Sequence, residues 1–176
     1  MRNIILSFFC LFLICNSIDL HAQKINWHTW EEVIELQKKE PRKVFIDVYT
    51  DWCGWCKKMD KATFQQPDIA KYVNDNYYAI KFDAEQKETI EMDGKTYKYV
   101  QSGRRGYHEL AVDITRGKLS FPTIVFMTSD MALIQPIPGF KDVPTFEMIM
   151  TYFAEDNHKK TPWSVYQKTY ESFIIK

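Results

Sequence analysis

Four residues constrain this chain more than any others: Cys53, Gly54, Trp55 and Cys56. They follow residues 44–49 (VFIDVY), a β-branched and aromatic run that reads as a buried strand. They open a stretch to about Phe64 that reads as a helix, with Met59 and Phe64 on its apolar side. A cysteine at a helix N-terminus sees unpaired N–H groups and the positive end of the helix dipole. Both favour the thiolate, so Cys53 is expected to titrate below the free-thiol value of about 8.5 and to attack disulfides. Cys56 sits one turn further in, so it is expected to be the more buried and to resolve the mixed disulfide. Three other uses of such a pair compete. As a purely structural disulfide it closes so short a loop that it constrains the unfolded chain little. A zinc site lacks the rest of its ligands, because no second cysteine pair follows and His28, His108 and His158 are scattered. Haem attachment needs a histidine after the second cysteine, where this chain has Lys57.

Residues 1–22 have the layout of an export signal. Arg2 precedes an apolar run over residues 4–15, polar Asn16 and Ser17 break it, and Ala22 offers a cleavage point before Gln23. The run falls well short of the roughly 20 residues a spanning helix needs; the alternative is an uncleaved anchor. Cleavage removes Cys10 and Cys15 and leaves Cys53 and Cys56 as the only cysteines of residues 23–176. The mature chain is therefore expected to be soluble and periplasmic or secreted, where disulfides persist. Its 23 Lys and Arg balance 23 Asp and Glu, which argues against nucleic acid as a partner. With 176 residues, 45% of them hydrophobic, the chain suits roughly one packed domain.

The remaining pattern alternates. Thr29 and Glu32 form a capping box ahead of Val33, Ile34 and Leu36, and Pro41 ends that helix. Pro67 opens a second short helix over residues 67–73, and residues 77–83 read as a strand. Residues 84–105 form an insertion in which Asp93 and Gly94 mark a hairpin turn between Ile90, Met92 and Thr96, Tyr97. A helix is expected over residues 107–115, capped by Gly117. A strand over 121–127 pairs with one over 132–137, where Pro136 suggests a sheet edge. An amphipathic helix over 143–153 and another over 162–173, with Thr161 as its cap, complete the chain. This order predicts an α/β fold with a mixed sheet, since the last two strands are joined by a short turn.

Six further residues are candidates. Asp47 stands mid-strand among buried residues, where an unpaired carboxylate is costly and its pKa rises. Lying six residues before Cys53, it is suited to take and return the Cys56 proton; a hydrogen-bonded structural carboxylate is the alternative. Trp52 and Trp55 flank the cysteines and offer either an apolar docking surface or ordinary packing, the latter favoured for Trp52. Pro122 is expected to be trans on base rates alone. Arg104 and Arg105 read as a solvated pair on a loop, with a contact for an anion or acidic substrate as the alternative.

Taken together, VFIDVYTDWCGWCK and the Phe121-Pro122-Thr123 stretch resemble the thioredoxin family. Gly139 also fits that pattern, and the resemblance spans about residues 42–155. Residues 43–53 with KMDKATFQQPDIAKYV are similar more specifically to the reducing C-terminal domains of membrane thiol-reductant transporters and related secreted proteins. The resemblance implies a thioredoxin fold, a mixed central sheet flanked by helices, in which the 84–105 insertion and the 161–173 helical extension are additions. It implies Cys53 as nucleophile, Cys56 as resolving thiol, Asp47 as buried proton acceptor, and Pro122 as a cis-proline facing the disulfide, which reverses the base-rate expectation. Trp52, Gly54, Trp55 and Phe121 then become substrate contacts. The implied activity is exported thiol–disulfide oxidoreduction, favouring reduction of protein disulfides by a monomer, with no cofactor beyond the Cys53–Cys56 pair, no metal, and a membrane electron donor. A disulfide isomerase or oxidase and a non-catalytic binding module are the alternatives. Two departures stand out: Gly54-Trp55 replaces the usual Gly-Pro, and the lysine that often accompanies the buried aspartate has its nearest match in Lys81, one strand position away.

Overall fold

The computed structural model describes residues 24–174, so the export-signal segment lies outside the described residues. Five strands form the central sheet in the order β1-β3-β2-β8-β9. These are β1 (Trp27–His28), β2 (Lys43–Tyr49), β3 (Tyr77–Asp83), β8 (Thr123–Met127) and β9 (Leu133–Pro138). Strand β2 runs parallel to β3 and antiparallel to β8, which makes the sheet mixed. Strand β9 is an edge, as Pro136 requires. The two residues of β1 extend the other edge and carry no strand signal of their own in the sequence. Among the described residues, no helix is long and apolar enough to cross a membrane.

Alternation along β2 sorts its side chains between two cores. Val44, Ile46 and Val48 join α1 (Trp30–Gln37) and α4 (Glu109–Ile114) on one face. Phe45 points to the other face, against Phe64, Phe126 and Phe146, with ring centroids 5.2–5.7 Å away. That second core is closed by α2 (Gly54–Met59), α3 (Pro67–Asn76) and α5 (Val143–Ala154). The expected single helix over 53–64 is instead α2 followed by a π-helical turn, Asp60–Phe64, which still buries both Met59 and Phe64. The Thr29–Glu32 capping box is present in full.

The insertion folds as two hairpins. Strands β4 (Ile90–Met92) and β5 (Lys95–Tyr97) meet at Asp93 and Gly94, both at positive φ, as a tight two-residue hairpin turn demands. Strands β6 (Tyr99–Ser102) and β7 (Arg105–His108) form the second. The helix expected from residue 107 therefore starts at Glu109, because Tyr107 and His108 still pair with Val100 and Tyr99. Gly106 stands where a Cβ would come within 2.3 Å of the Tyr99 hydroxyl and the Val100 carbonyl oxygen, so no larger residue fits this hairpin unaltered.

The last helix, α6 (Trp163–Thr169), is shorter than its expected 162–173 span, and Pro162 rather than Thr161 precedes it. After Tyr170 the chain extends to reach Glu147, a fully buried carboxylate on α5. Glu147 accepts hydrogen bonds from the Tyr170 hydroxyl (3.0 Å), the Ser172 hydroxyl (2.7 Å) and the amides of Phe173 (2.7 Å) and Ile174 (3.2 Å). Phe173 then stacks on Tyr72 of α3, 5.2 Å between rings. Glu147→Ala strands these buried donors at once, so it should lower unfolding stability by about 3 kcal/mol in urea titration and expose the segment after Thr169 to limited proteolysis.

Candidate active site

The disulfide loop leaves the C-terminal end of β2 and turns straight into α2. The Cys53 amide donates to the Thr50 carbonyl oxygen at 3.0 Å, which fixes the turn. Cys53 is the N-cap of α2, and its Sγ accepts a hydrogen bond from the Cys56 backbone N–H at 3.0 Å. Cys53 and Cys56 are joined as a disulfide. The expected difference in burial between them is not found: Cys53 is 5% exposed and Cys56 4%. In the bonded state each sulfur shields the other, so exposure does not separate their roles. The hydrogen bond from the Cys56 N–H is directed at Cys53, the N-cap sulfur.

Asp47 shares the Phe45 face of β2, two residues further along, which brings it beneath α2. It is 1% exposed, and its Oδ1 has no hydrogen-bond partner. Burial pushes its pKa up to about 7; Lys81 draws it down and Asp60 adds to the rise. Lys81 is not one strand position away but directly opposite Asp47 in the parallel register. Its ammonium, however, pairs with Asp60. Asp47, Cys56, Lys57, Asp60 and Lys81 together line a cavity of about 150 Å³. Cys56 thus shares this cavity with one buried carboxylate, Asp47. Asp60 escaped sequence reading, although its spacing four residues after Cys56 places it one helical turn below that thiol.

An aromatic rim surrounds the disulfide. The Phe121–Pro122 bond is cis, following the family pattern and not the base rate. The Pro122 carbonyl oxygen accepts from the Gly139 amide at 2.8 Å, and Gly139 adopts φ 86° to make that approach. Trp52 is 51% exposed, so ordinary packing does not describe it. Its ring meets Phe121 edge to face at 5.9 Å, and its Nε1 donates to Glu85 Oε1 at 3.0 Å. Trp55, 56% exposed, rests against Phe140 at 5.6 Å, with the Lys58 ammonium 4.6 Å from the indole centroid. Nothing lies within 4 Å of where a Cβ on Gly54 would stand, which leaves the loop backbone open between the tryptophans. Arg105 is no freely solvated loop residue, because its guanidinium lies over the Trp52 ring. Glu85, Phe140 and Lys58 carried no signal of their own in the sequence, since only the fold brings them to the rim.

Comparison with known proteins agrees with this geometry. A family model, Thioredox_DsbH, described as "Protein of unknown function, DUF255", matches residues 18–166. Among curated proteins, Uncharacterized protein B0495.5 of Caenorhabditis elegans is 30% identical over 125 residues, covering 61% of this chain and 17% of that protein. Thiol:disulfide interchange protein DsbD of Photorhabdus laumondii is 33% identical over 58 residues, 32% of this chain and 10% of its own length. The chain thus spans less than a fifth of the curated relatives it matches. Among solved structures, a DsbH oxidoreductase superposes with TM-score 0.55 at 16% identity, over 81% of this chain and 92% of that one. A putative disulphide-isomerase from Bacteroides thetaiotaomicron gives 0.53 at 21%, over 77% and 96%. These structures share the thioredoxin fold with this chain.

The position of Asp47 sets a pH dependence. Its folded pKa lies above its unfolded value of 3.8, so the stability it permits is intact below that value and is lost as pH rises through about 7. In Asp47→Asn this loss is absent. The stability gap between variant and wild type, both oxidised, should widen in the variant's favour by about 4 kcal/mol from acid to neutral pH. Urea unfolding across that range measures it; a gap independent of pH would place Asp47 among ordinary carboxylates.

Proposed function

The chain belongs to the Thioredox_DsbH family, and on that premise we propose that it is an exported thiol–disulfide oxidoreductase that reduces disulfides in proteins. The observation that carries the reading is the Cys56 N–H directed at Cys53 Sγ at the start of α2, above a buried carboxylate. In the reduced enzyme the Cys53 thiolate attacks one sulfur of a substrate disulfide. A Cys53–substrate disulfide forms, and the substrate's other sulfur leaves as a thiolate and takes a proton from water. Asp47 then accepts the Cys56 proton, and the Cys56 thiolate attacks Cys53 Sγ. The second substrate sulfur leaves as a thiolate and takes that proton from Asp47, and the enzyme disulfide is restored. Two electrons and one proton have passed from the enzyme to the substrate, water has supplied the second proton, and a dithiol donor must return the electrons to the enzyme. A pKa near neutrality suits Asp47 to hold and release that proton. Export rests on the layout of residues 1–22, and a donor at the membrane follows from it. The stretch similar to a thiol:disulfide interchange protein supports exchange chemistry, and the direction proposed rests on the resemblance to reducing domains.

The reduction potential of the pair, read by thiol trapping in graded thiol buffers, tests this. A reductant should give about −230 mV or lower, an oxidant about −120 mV. A pair that stays oxidised across the range would leave only a binding module. Cys53→Ser should bring insulin reduction down to the dithiothreitol background. Cys56→Ser should instead accumulate a mixed disulfide with substrate, visible on a non-reducing gel.

A further inference from the structure

The insertion returns to the disulfide loop through two side chains, Glu85 and Arg105, of which Arg105 supplies the cation. The Arg105 guanidinium carbon lies 4.5 Å from the centre of the Trp52 ring. Its Nη1 lies 4.0 Å from Glu85 Oε1, the same oxygen that accepts the Trp52 Nε1 hydrogen bond. On the side of the cis-proline loop the indole meets Phe121. Trp52 is thus held by a hairpin, a loop carboxylate and the residue before Pro122, yet half of it stays open to solvent. The Arg105 side chain is itself 57% exposed, so the core has no need of it. The flanking Trp55 takes its cation, Lys58, from its own helix. Trp52 takes its cation only because the insertion exists.

From this arrangement we infer that Arg105 is a specificity-determining, positioning residue: it fixes the Trp52 indole as a docking wall for polypeptide disulfides. The inference rests on the thiol–disulfide reading above. Trp52 adjoins Cys53, so a polypeptide whose disulfide engages Cys53 must extend across the rim, whereas a small disulfide needs only the sulfur. An indole free to rotate would have to be ordered each time a polypeptide docks, which weakens binding. Arg105, Glu85 and Phe121 order it in advance. Covering the ring also removes water from the cation–π pair, which strengthens it in the docked state. The hairpin is built to hold this position. Gly106 lets Tyr99 close over β7, and Gln101 Nε2 donates to the carbonyl oxygens of Gly103 (2.8 Å) and Arg105 (3.1 Å).

The test compares two substrates in the full mature chain: insulin, with dithiothreitol as reductant, and the small disulfide 5,5′-dithiobis(2-nitrobenzoate). Arg105→Ala should raise KM for insulin about fivefold, equivalent to about 1 kcal/mol, and leave kcat within about twofold. The reduction potential and the rate with the small disulfide should not change. Arg105→Lys, which keeps a cation over the ring, should recover most of the loss. Gly106→Ala, which forces Tyr99 or Val100 aside and displaces the hairpin, should reproduce the Arg105→Ala phenotype. An unchanged insulin KM in Arg105→Ala overturns the inference, as does an equal loss with the small disulfide. A wild-type chain that reduces neither substrate overturns the oxidoreductase reading itself and so separates the two failures.

Discussion

Strand β2 has a hydrogen-bonded neighbour on each side and a packed core against each face, so every side chain in its middle is removed from water. For Val44, Phe45, Ile46 and Val48 that removal stabilises the fold. For Asp47 it costs, and nothing nearby offsets the cost in full: one carboxylate oxygen has no partner, and the lysine across the register is engaged by Asp60. The same strand that holds the sheet together therefore holds a carboxylate whose pKa burial raises to about 7. Its C-terminal end releases the loop whose first helical turn caps itself with Cys53. The position of the disulfide and the character of the carboxylate beneath it follow from one buried strand.

The insertion depends on that strand at one remove. The Ala84 amide donates to the Tyr49 carbonyl oxygen at 2.8 Å, and the His108 amide to that of Ala84 at 2.7 Å, so both ends of the insertion are tied to the end of β2. His108 is the interior pin. Its Nδ1 accepts from the Leu110 amide and its Nε2 donates to the Glu88 carbonyl oxygen, while its ring meets Phe82 edge to face. Burial lowers its pKa, which keeps the imidazole neutral, the only form that can accept at one nitrogen and donate at the other. Ile90 and Tyr97 add two buried side chains to the same core as Val44 and Ile46. The insertion is thus packed into the core at its base and reaches Trp52 at Glu85 and Arg105.

Local signals were legible where the chemistry is local. The capping box at Thr29, the Asp93-Gly94 turn, the edge position marked by Pro136 and the strand-to-helix setting of Cys53 each rest on interactions within a few residues. Boundaries were lost where a distant partner competes. Tyr107 and His108 leave their expected helix because Val100 and Tyr99 are better partners, and α6 stops at Thr169 because the chain beyond it bonds to Glu147.

For this protein, then, residue order alone determined the alternation of elements, the mixed sheet and the cysteine pair, because periodicity and helix-end electrostatics need no long-range information. Tertiary structure alone decided what surrounds that pair: the pairing of Lys81 with Asp60, the orphaned oxygen of Asp47, and Arg105 over Trp52. Each depends on sheet register or hairpin placement, which bring together charges far apart in the chain. A charge in the sequence carries no record of which partner it will face once water has been excluded.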